Sequence, residues 1–437
     1  MVLPVLSLYS EDYRYSSHFL IGLALGAYGC SQAILQIPFG MWSDRWGRKP
    51  VILFGLLLFA LGSVIAAMSD TIYGLILGRF LQGTGAIASA IMAMVADLTA
   101  DENRTKAMAS IGASIGVSFA LAFILGPIVA NFGGVSAIFW VTAAFALIGI
   151  VVLVWVVPEV PKLHVNTDMT LPNSPLTSKN ITAEIYLALK NRELLRLDFG
   201  IFILHFILMA SFLIVPRLLE NSAGIPREQH PYVYTAILVA SFIVMLPFII
   251  LAERKGKIKP VFVGAVGLFA CVQLLLAQFF VIPAFLLAGL FLFFLAFNLL
   301  EATLPSLVSK ISSSRHRGTA NGVYSTSQFL GAFLGGALGS LVLTYGGEKA
   351  VFVLCAGLAA CWFWVAMFMA KPKQLSSVMV TLAELADQRQ WLSKLQQIPG
   401  VAEVAYIEER QAARLKVDRQ IFEHRFISEM GLSEAKP

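Results

Sequence analysis

The sequence predicts an all-α polytopic membrane protein that ends in a small α+β domain. Three observations lead to this fold class. Of the 437 residues, 58% are hydrophobic and only 13% are charged, whereas about a quarter of the residues in a soluble domain are charged. Apolar runs of about 20 residues, the length that spans a bilayer as a helix, recur from residue 19 to residue 370. Beyond Pro372 the runs stop and charged residues become frequent.

This composition excludes a soluble enzyme. It also excludes a transmembrane β-barrel, because barrel strands are short and alternate in hydrophobicity. The four cysteines lie inside apolar runs and form no CxxC pair, so we expect no metal site and no cofactor. The net charge is +6. In a membrane protein the distribution of basic residues between loops matters more than this total, so we expect no nucleic-acid partner.

Eleven complete spans are predicted between the polar breaks. They are residues 19–40, 51–68, 72–96, 106–130, 135–157, 197–219, 232–252, 260–279, 281–308, 318–344 and 348–370. Residues 1–9 are apolar but would cover only about 13 Å as a helix, so we interpret them as the end of a twelfth. A signal peptide is the alternative, although the basic n-region and cleavage site are missing. We therefore expect an in-frame extension upstream of Met1.

Lysine and arginine residues predict the orientation of the spans. Basic residues cluster in alternate loops, while the opposite loops contain only Arg14, Arg217, Arg227 and Lys349. Because basic loops stay in the cytoplasm, we expect a multi-pass protein of the inner membrane with its C-terminal domain in the cytoplasm.

The chain divides into two membrane halves joined by a polar segment. Residues 1–157 form the N-terminal half, residues 158–196 a proline-containing cytoplasmic linker, and residues 197–370 the C-terminal half. An offset of 213 aligns Gly133-Gly134 with Gly346-Gly347 and Arg104 with Arg317. This spacing predicts a parallel duplication.

Residues 377–432 have the pattern of a small separate domain. Strands are predicted at residues 377–384, 401–408 and 413–418, and helices at 388–398 and 421–430. This β-α-β-β-α order indicates a ferredoxin-like domain, although too few residues follow Leu432 for a convincing fourth strand. A core this small is marginal, so we consider self-association through this domain.

A polar link of about ten residues is predicted between the first two complete spans. It contains Gly40, Asp44, Arg45, Gly47 and Arg48 in the order G-x-x-x-D-R-x-G-R-K. This pattern resembles the loop signature of the major facilitator superfamily, and the whole membrane portion resembles the drug:proton antiporters of its YajR-like branch. A generic positive-inside loop would explain the arginines but not Asp44 and Gly47 in register.

The resemblance implies a twelve-helix fold of two six-helix halves, with a small-molecule substrate, protons and the lipid bilayer as partners. It also implies that the loop is a conformational latch. Asp44 would meet the N-terminal end of the eleventh helix near Gly318, and Arg48 would pair with Asp97 at the end of the fourth. Such contacts would favour one transporter state and break when the halves rock.

Two further motifs resemble superfamily signatures. Arg79 and Gln82 lie in R-x-x-Q-G-x-G, where the family arginine is associated with proton coupling; a structural, hydrogen-bonding arginine is the alternative. A second set of small residues resembles the antiporter signature of the fifth helix, although symporters also pack on glycine. This set comprises Gly112, Gly116, Gly126 and Pro127.

Four other polar residues are candidates for the transport path. Glu301 either binds a proton or lies in a wet cytoplasmic funnel. His205 either titrates or is a hydrogen-bonded packing residue. Gln32 and Gln36 share one helix face and either line the cavity or bond between helices.

We expect a secondary transporter, not an enzyme, that exports small amphipathic compounds against a proton gradient. The mostly apolar spans favour such substrates over sugars or polyanions. An uptake symporter and a transporter-derived sensor with a ligand-binding tail are the alternatives.

Overall fold

The structure, a computed structural model, describes residues 2–9, 13–99, 101–158, 190–254, 256–311, 317–370, 375–381, 394–395, 397–407, 412–418 and 434–435. Its helices α1 to α11 are His18–Trp46, Arg48–Ala67, Ile72–Thr84, Ala88–Leu98, Asp101–Trp155, Arg192–Phe212, Val215–Asn221, His230–Arg254, Ile258–Phe279, Pro283–Ile311 and Arg317–Met367. A short 3-10 turn, Arg227–Gln229, precedes α8. Strands β1 to β4 are Leu375–Thr381, Val401–Ile407, Ala412–Asp418 and Glu434–Ala435.

The described residues contain nine helical stretches that are long and apolar enough to cross a membrane. Two of them, Ser114–Trp155 and Thr319–Met367, contain 42 and 49 residues, about twice the roughly 20 that one crossing needs. Each is interrupted by glycine with non-helical backbone angles. Counting each as two spans yields the eleven predicted ones.

The two glycine interruptions have the same backbone conformation. Gly134 has φ 65° and ψ −164°, and Gly347 has φ 72° and ψ −175°. Glycine alone adopts this left-handed region without strain, which lets one helix end and the next begin at once. The two positions are 213 residues apart in the sequence, as the predicted duplication requires.

Two predicted spans are divided in the structure. The expected helix over residues 72–96 is broken into α3 and α4 at Gly85, whose backbone lies against the carbonyl of Gly55. The expected helix over residues 197–219 begins earlier and is divided into α6 and α7 around Leu213. Hydropathy detects the apolar run and cannot detect a single change of backbone angle within it.

Residues 2–9 form hydrogen-bonded turns that pack into the hydrophobic core of the helix bundle. The Leu6 amide donates to the Val2 carbonyl at 2.9 Å, and the Val5 and Leu6 side chains are fully buried. The Ser7 carbonyl accepts a hydrogen bond from Nε of Arg217 at 2.8 Å. This segment therefore contacts the C-terminal half, although the continuous helical end that we expected is present only as turns.

The two halves meet in the parts of the helices farthest from the basic loops. Gly22 of α1 lies against Gly336 of α11 so closely that an added Cβ at Gly22 would be 2.2 Å from the Gly336 carbonyl oxygen. Phenylalanine rings extend the closure, with Phe123 of α5 at 5.0 Å from Phe212 and 5.3 Å from Phe294. These contacts close the side of the bundle that the predicted orientation assigns to the exterior.

The C-terminal strands form one antiparallel sheet in the order β2-β3-β1-β4. Val378 and Val380 of β1 are buried, as the alternating pattern predicts, but Met379 between them is buried as well. After Leu432, where we expected too few residues for a convincing fourth strand, only the two residues Glu434–Ala435 pair with Met379 and Val380 among the described residues. The predicted helix over residues 421–430, and all but the last residues of the one over 388–398, lie outside the described residues, so the ferredoxin-like domain remains a prediction.

Candidate transport site

The signature loop is tighter than predicted. Helix α1 continues to Trp46 and α2 begins at Arg48, so the expected ten-residue link is reduced to Gly47. The φ of 96° at Gly47 is strained for any residue with a side chain. This single glycine therefore reverses the chain, and the glycine of the signature has a geometric reason. Gly40 lies beside Ser89 of α4, and an added Cβ would be 3.3 Å from its hydroxyl oxygen.

Arg48 and Asp97 form the predicted ion pair. Nε of Arg48 donates to Oδ2 of Asp97 at 2.8 Å, and Nη1 donates to the Ser43 hydroxyl at 2.8 Å. Asp97 is partly exposed, so the pair contributes about 1 kcal/mol or less. Both helices belong to the N-terminal half, so this pair shapes the loop and does not itself join the halves.

The side chain of Asp44, which is predicted to contact the eleventh helix, lies outside the described part of the structure. The helix that would receive it, α11, begins at Arg317, next to the predicted Gly318. Arg45 is exposed at the end of α1. The latch role of this loop therefore stays a prediction.

We expect Asp44→Asn to shift the balance between the two transporter states. A carboxylate at a helix N-terminus is worth about 0.3 to 2 kcal/mol, comparable to the few kcal/mol between two populated conformations. Spin-label distances across the cytoplasmic face would measure the shift. Asp97→Asn is the matched control, because it removes a carboxylate of α4 that contacts the same loop through Arg48, and this contact stays within one half. Equal distance distributions in wild type and Asp44→Asn would contradict the latch.

Arg79 of α3 points into the N-terminal half and is partly buried. Its Nη1 donates to Oε1 of Gln82 at 3.0 Å. Nε and Nη2 lie 3.4 and 3.5 Å from the carbonyl oxygens of Ala24 and Leu25 on α1. The guanidinium carbon lies 5.0 Å from the ring centre of Tyr28, which is a cation–π distance. Its described partners are thus carbonyls, an amide and an aromatic ring, and no described carboxylate neutralises it.

The residues that contact Arg79 form hydrogen bonds of their own on two neighbouring helices. Nε2 of Gln82 donates to the Ser63 hydroxyl of α2 at 2.7 Å. On α1, Nε2 of Gln32 donates to the Tyr28 hydroxyl at 3.0 Å. Gln32 therefore bonds within its own helix and not between helices. Gln36 is buried as well, and Oε1 of both glutamines has no partner among the described residues.

Polar residues of the C-terminal half meet across α6 and α11. Nε2 of His205 lies 2.9 Å from Nε2 of Gln328, and Nδ1 lies 3.3 Å from the Ile201 carbonyl oxygen. With Nδ1 donating to that carbonyl, Nε2 accepts from the amide, so His205 has the hydrogen bonds of a neutral packing residue. Glu301 of α10 has one buried carboxylate oxygen without a partner among the described residues.

The glycines of the fifth predicted helix behave differently from one another. Gly126 and Pro127 are buried inside α5. Gly116 has no atom within 4 Å of an added Cβ, so the expected close packing is absent there. The surroundings of Gly112 lie outside the described residues. Non-helical backbone angles within α5 occur at Gly133 and Gly134, and not at Pro127.

Several residues of the site escaped the sequence analysis. Tyr28, Ser63 and Gln328 are common residue types in membrane helices. Each gains its role from a partner on a neighbouring helix. Helical spacing offered a partial signal, because Tyr28 lies four residues before Gln32 on the same face of α1.

Comparison with known families identifies the chain. The family described as Major Facilitator Superfamily matches residues 1–245 and 197–378, which together include both membrane halves and the Gly47 loop. The chain belongs to the major facilitator superfamily. The fold expected from the loop signature is thereby confirmed.

The relatives of this superfamily member are transporters. It is 44% identical over 440 residues to the inner membrane transport protein YajR of Escherichia coli K12, with 100% of this chain and 94% of that protein aligned. This agrees with the expected branch. Multidrug resistance protein 2 of Bacillus subtilis is 26% identical over 377 residues, with 83% and 90% aligned. The crystal structure of the human organic anion transporter MFSD10 has the same fold, with a TM-score of 0.59, 21% identity, and 79% and 84% aligned. The chain is therefore a membrane transporter and not an enzyme.

Proposed function

We propose that the protein exports small amphipathic compounds across the inner membrane in exchange for protons, by alternating access between its two halves. The observation that best supports this proposal is Arg79. A permanent charge within the membrane is costly and is usually functional. Here it is held by Ala24, Leu25, Tyr28 and Gln82, and no described carboxylate neutralises it. A proton or substrate charge that arrives nearby would therefore change its electrostatic environment strongly.

Alternating access requires an interface that closes one side of the bundle and can open again. The close approach of Gly22 to Gly336 closes the outer side through backbone contacts between α1 and α11. Interfaces of this kind rely on small residues that let the two backbones approach closely. The structure therefore fits a state that is closed to the exterior and from which export would begin.

Export is supported by relatives and by the lining of the membrane part. A relative that aligns over 83% of this chain is a multidrug resistance protein. Phenylalanine rings line the contact between the halves, among them Phe119 stacked on Phe297 at 5.5 Å. Aromatic walls of this type accept amphipathic molecules. We further propose that residues 1–157 and 197–370 are the two moving halves and that residues 377–432 form a cytoplasmic regulatory domain.

Purified protein in liposomes tests the proposal directly. With an outward-directed or inward-directed proton gradient imposed, an amphipathic fluorescent substrate should move opposite to the protons, and a protonophore should stop it. Movement in the same direction as the protons would favour the uptake symporter. No gradient-driven movement of any amphipathic substrate in a folded preparation would contradict transport and favour the sensor.

Removal of the chain after Lys373 should leave basal transport measurable and change its regulation or the stability of the protein. The strands β1 to β4 pair with one another, so the sheet has its own hydrogen bonds and can be removed as a unit. Flux and thermal unfolding of full-length and truncated protein would be compared in the same liposomes. A truncated protein that inserts stably and has no flux would show that the domain is part of the transport machinery.

A further inference from the structure

One side chain of the C-terminal half reaches across the outer end of the bundle to the N-terminal half. Nε of Arg217 on α7 donates to the Ser7 carbonyl oxygen at 2.8 Å, and its Nη1 lies 3.0 Å from Nε2 of His18. His18 is the first residue of α1. We call the side chains of Arg217 and His18 the outer pair. This pair joins the start of α1 directly to α7.

The outer pair lies next to the contact that closes the outer side. Gly22, which packs against Gly336 of α11, follows His18 by four residues and shares its face of α1. In the same first turn of α1, the Ser340 hydroxyl of α11 lies 3.4 Å from the Phe19 carbonyl oxygen. A motion that parts the two halves at Gly22 therefore also parts Arg217 from His18.

The contact within the outer pair requires a neutral histidine. An arginine guanidinium contains only hydrogen-bond donors and stays charged in proteins. Nη1 of Arg217 therefore donates and Nε2 of His18 accepts, which leaves the single ring proton on Nδ1. A second proton on the ring would occupy Nε2. It would remove the acceptor and place two positive charges side by side, which is unfavourable.

The described side chains that line this contact carry no charge besides those of the outer pair. They surround a small cavity and are Ser7, His18, Ile21, Leu213, Arg217 and Leu343. On α7, Glu220 pairs with Arg227 at 3.0 Å. The other charged residues at the outer ends of the neighbouring elements are Glu11, Asp12, Arg14, Asp70, Glu348 and Lys349. The side chains of Glu11 and Asp12 lie outside the described residues, so their effect has to be measured separately.

His18 is exposed, so protons on the outer side reach its ring. Histidine side chains change charge between about pH 5 and about pH 8. We propose that the outer pair is a proton-operated switch, in which neutral His18 holds the outer side closed through Arg217 and protonated His18 releases it. The closing contact is then present at higher pH and is lost as the pH falls. This inference rests on the proposed function, in which the outer side is the acidic one during export, and it specifies what opens the protein there.

Spin-label distances at controlled pH test the switch in the purified full-length protein, without any proton gradient. Labels at Tyr73→Cys and Tyr345→Cys, two exposed positions, report the outer separation in a background without the four native cysteines. The ratio of open to closed populations should rise between pH 8 and pH 5. At pH 5 this ratio should be about tenfold lower in His18→Gln, the combined effect of one hydrogen bond and of two adjacent charges in water. At pH 8 it should equal that of the parent, because a glutamine amide accepts from Arg217 and never becomes charged.

Further variants separate the outer pair from other titrating groups. His18→Arg carries a permanent charge and should be as open at pH 8 as the parent is at pH 5. Arg217→Gln removes the opposing charge and should lose the part of the response that depends on His18. His230→Gln is the matched control, since His230 is a buried histidine at the outer start of α8, with Nε2 at 3.1 Å from the Ile225 carbonyl oxygen. It should keep the response of the parent, and so should Glu11→Gln combined with Asp12→Asn.

Equal ratios in His18→Gln and the parent at pH 5 would overturn the proposal. Loss of the response in the Glu11→Gln and Asp12→Asn double variant would assign it to those carboxylates and would overturn the proposal as well. Should His18→Gln fail to fold, His18→Arg and Arg217→Gln decide the question.

The outcome is separable from that of the proposed function. Outer distances that depend on His18 while proton gradients drive no flux would support the switch and contradict the function. Proton-driven flux with outer distances that do not depend on His18 would contradict the switch and leave the function standing.

Discussion

Arg79→Ala should abolish proton-driven transport while the protein still inserts and folds. Arg79 is held by two carbonyl oxygens of α1, the Gln82 amide and the Tyr28 ring. The carbonyls of Ala24 and Leu25 lie within α1, so they keep their places in the helix when the guanidinium is removed. The lost interactions are therefore few, and removal of a charge from the membrane offsets part of their free energy.

The consequence for coupling is larger than that for folding. Without Arg79, the centre of the N-terminal half contains only neutral groups among its described members, Tyr28, Gln32, Ser63 and Gln82. None of these groups changes charge near neutral pH. The half then loses its electrostatic response to a proton or charged substrate, so we expect gradient-driven flux to fall to background.

The experiment compares flux in liposomes with thermal unfolding of the same preparations. Arg227→Ala is the matched control, because it removes an arginine at the start of the span Arg227–Ala252 that pairs with the partly exposed Glu220. Such an exposed pair is worth about 1 kcal/mol or less. We expect near-normal flux in Arg227→Ala and none in Arg79→Ala. A folded Arg79→Ala protein with normal proton-dependent flux would contradict the coupling role.

Arg79 also shows how far sequence alone leads. Its motif, its helix and the cost of its charge are all evident from R-x-x-Q-G-x-G and from hydropathy. Its partners are not, because they belong to α1 and depend on how two helices are rotated against each other. The pairing of Arg48 with Asp97 is predictable because the resemblance to the superfamily implies it, and the structure contains this ion pair.

Asp198 and Glu301, two carboxylates of the C-terminal half, illustrate the opposite case. Glu301 was noticed because it lies well inside an apolar run, but Asp198 lies near the start of α6 beside Arg192, Glu193 and Arg196 and resembles an ordinary helix-end charge. Burial of that single side chain follows from the packing of α6 along α11, which no local pattern predicts. The duplicated glycine turns at Gly134 and Gly347 were predictable, since a glycine pair is a local backbone signal.

The contact between Gly22 and Gly336 leads to the second large expected effect. We expect Gly336→Leu to prevent closure of the outer side and to shift the protein toward an outward-open state. An added Cβ at Gly336 would be 2.5 Å from the Gly22 carbonyl oxygen and 3.1 Å from the Gly26 nitrogen. These neighbours are backbone atoms, which cannot move aside as a flexible side chain can, so α1 and α11 have to separate.

The free energy involved is large enough to reverse the balance of states. Overpacking of a tight contact costs about 1 to 3 kcal/mol, similar to the few kcal/mol that separate two conformations of a transporter. The cost applies to the closed state alone, because the two helices are apart in the open one. Leucine also has a higher helix propensity than glycine, so α11 itself should not be weakened.

Spin labels on both sides of the outer opening would measure the change. Tyr73 at the start of α3 and Tyr345 just before the Gly347 turn of α11 are exposed. Replaced by cysteine in a background without the four native cysteines, they report the separation of the halves. We expect longer distances in Gly336→Leu, a smaller increase in Gly336→Ala, and none in Gly357→Leu. The last variant has the same substitution in the span that follows the Gly347 turn, at a glycine with nothing within 4 Å of an added Cβ. Distances in a folded Gly336→Leu protein equal to those in Gly357→Leu would show that the halves do not separate at this contact.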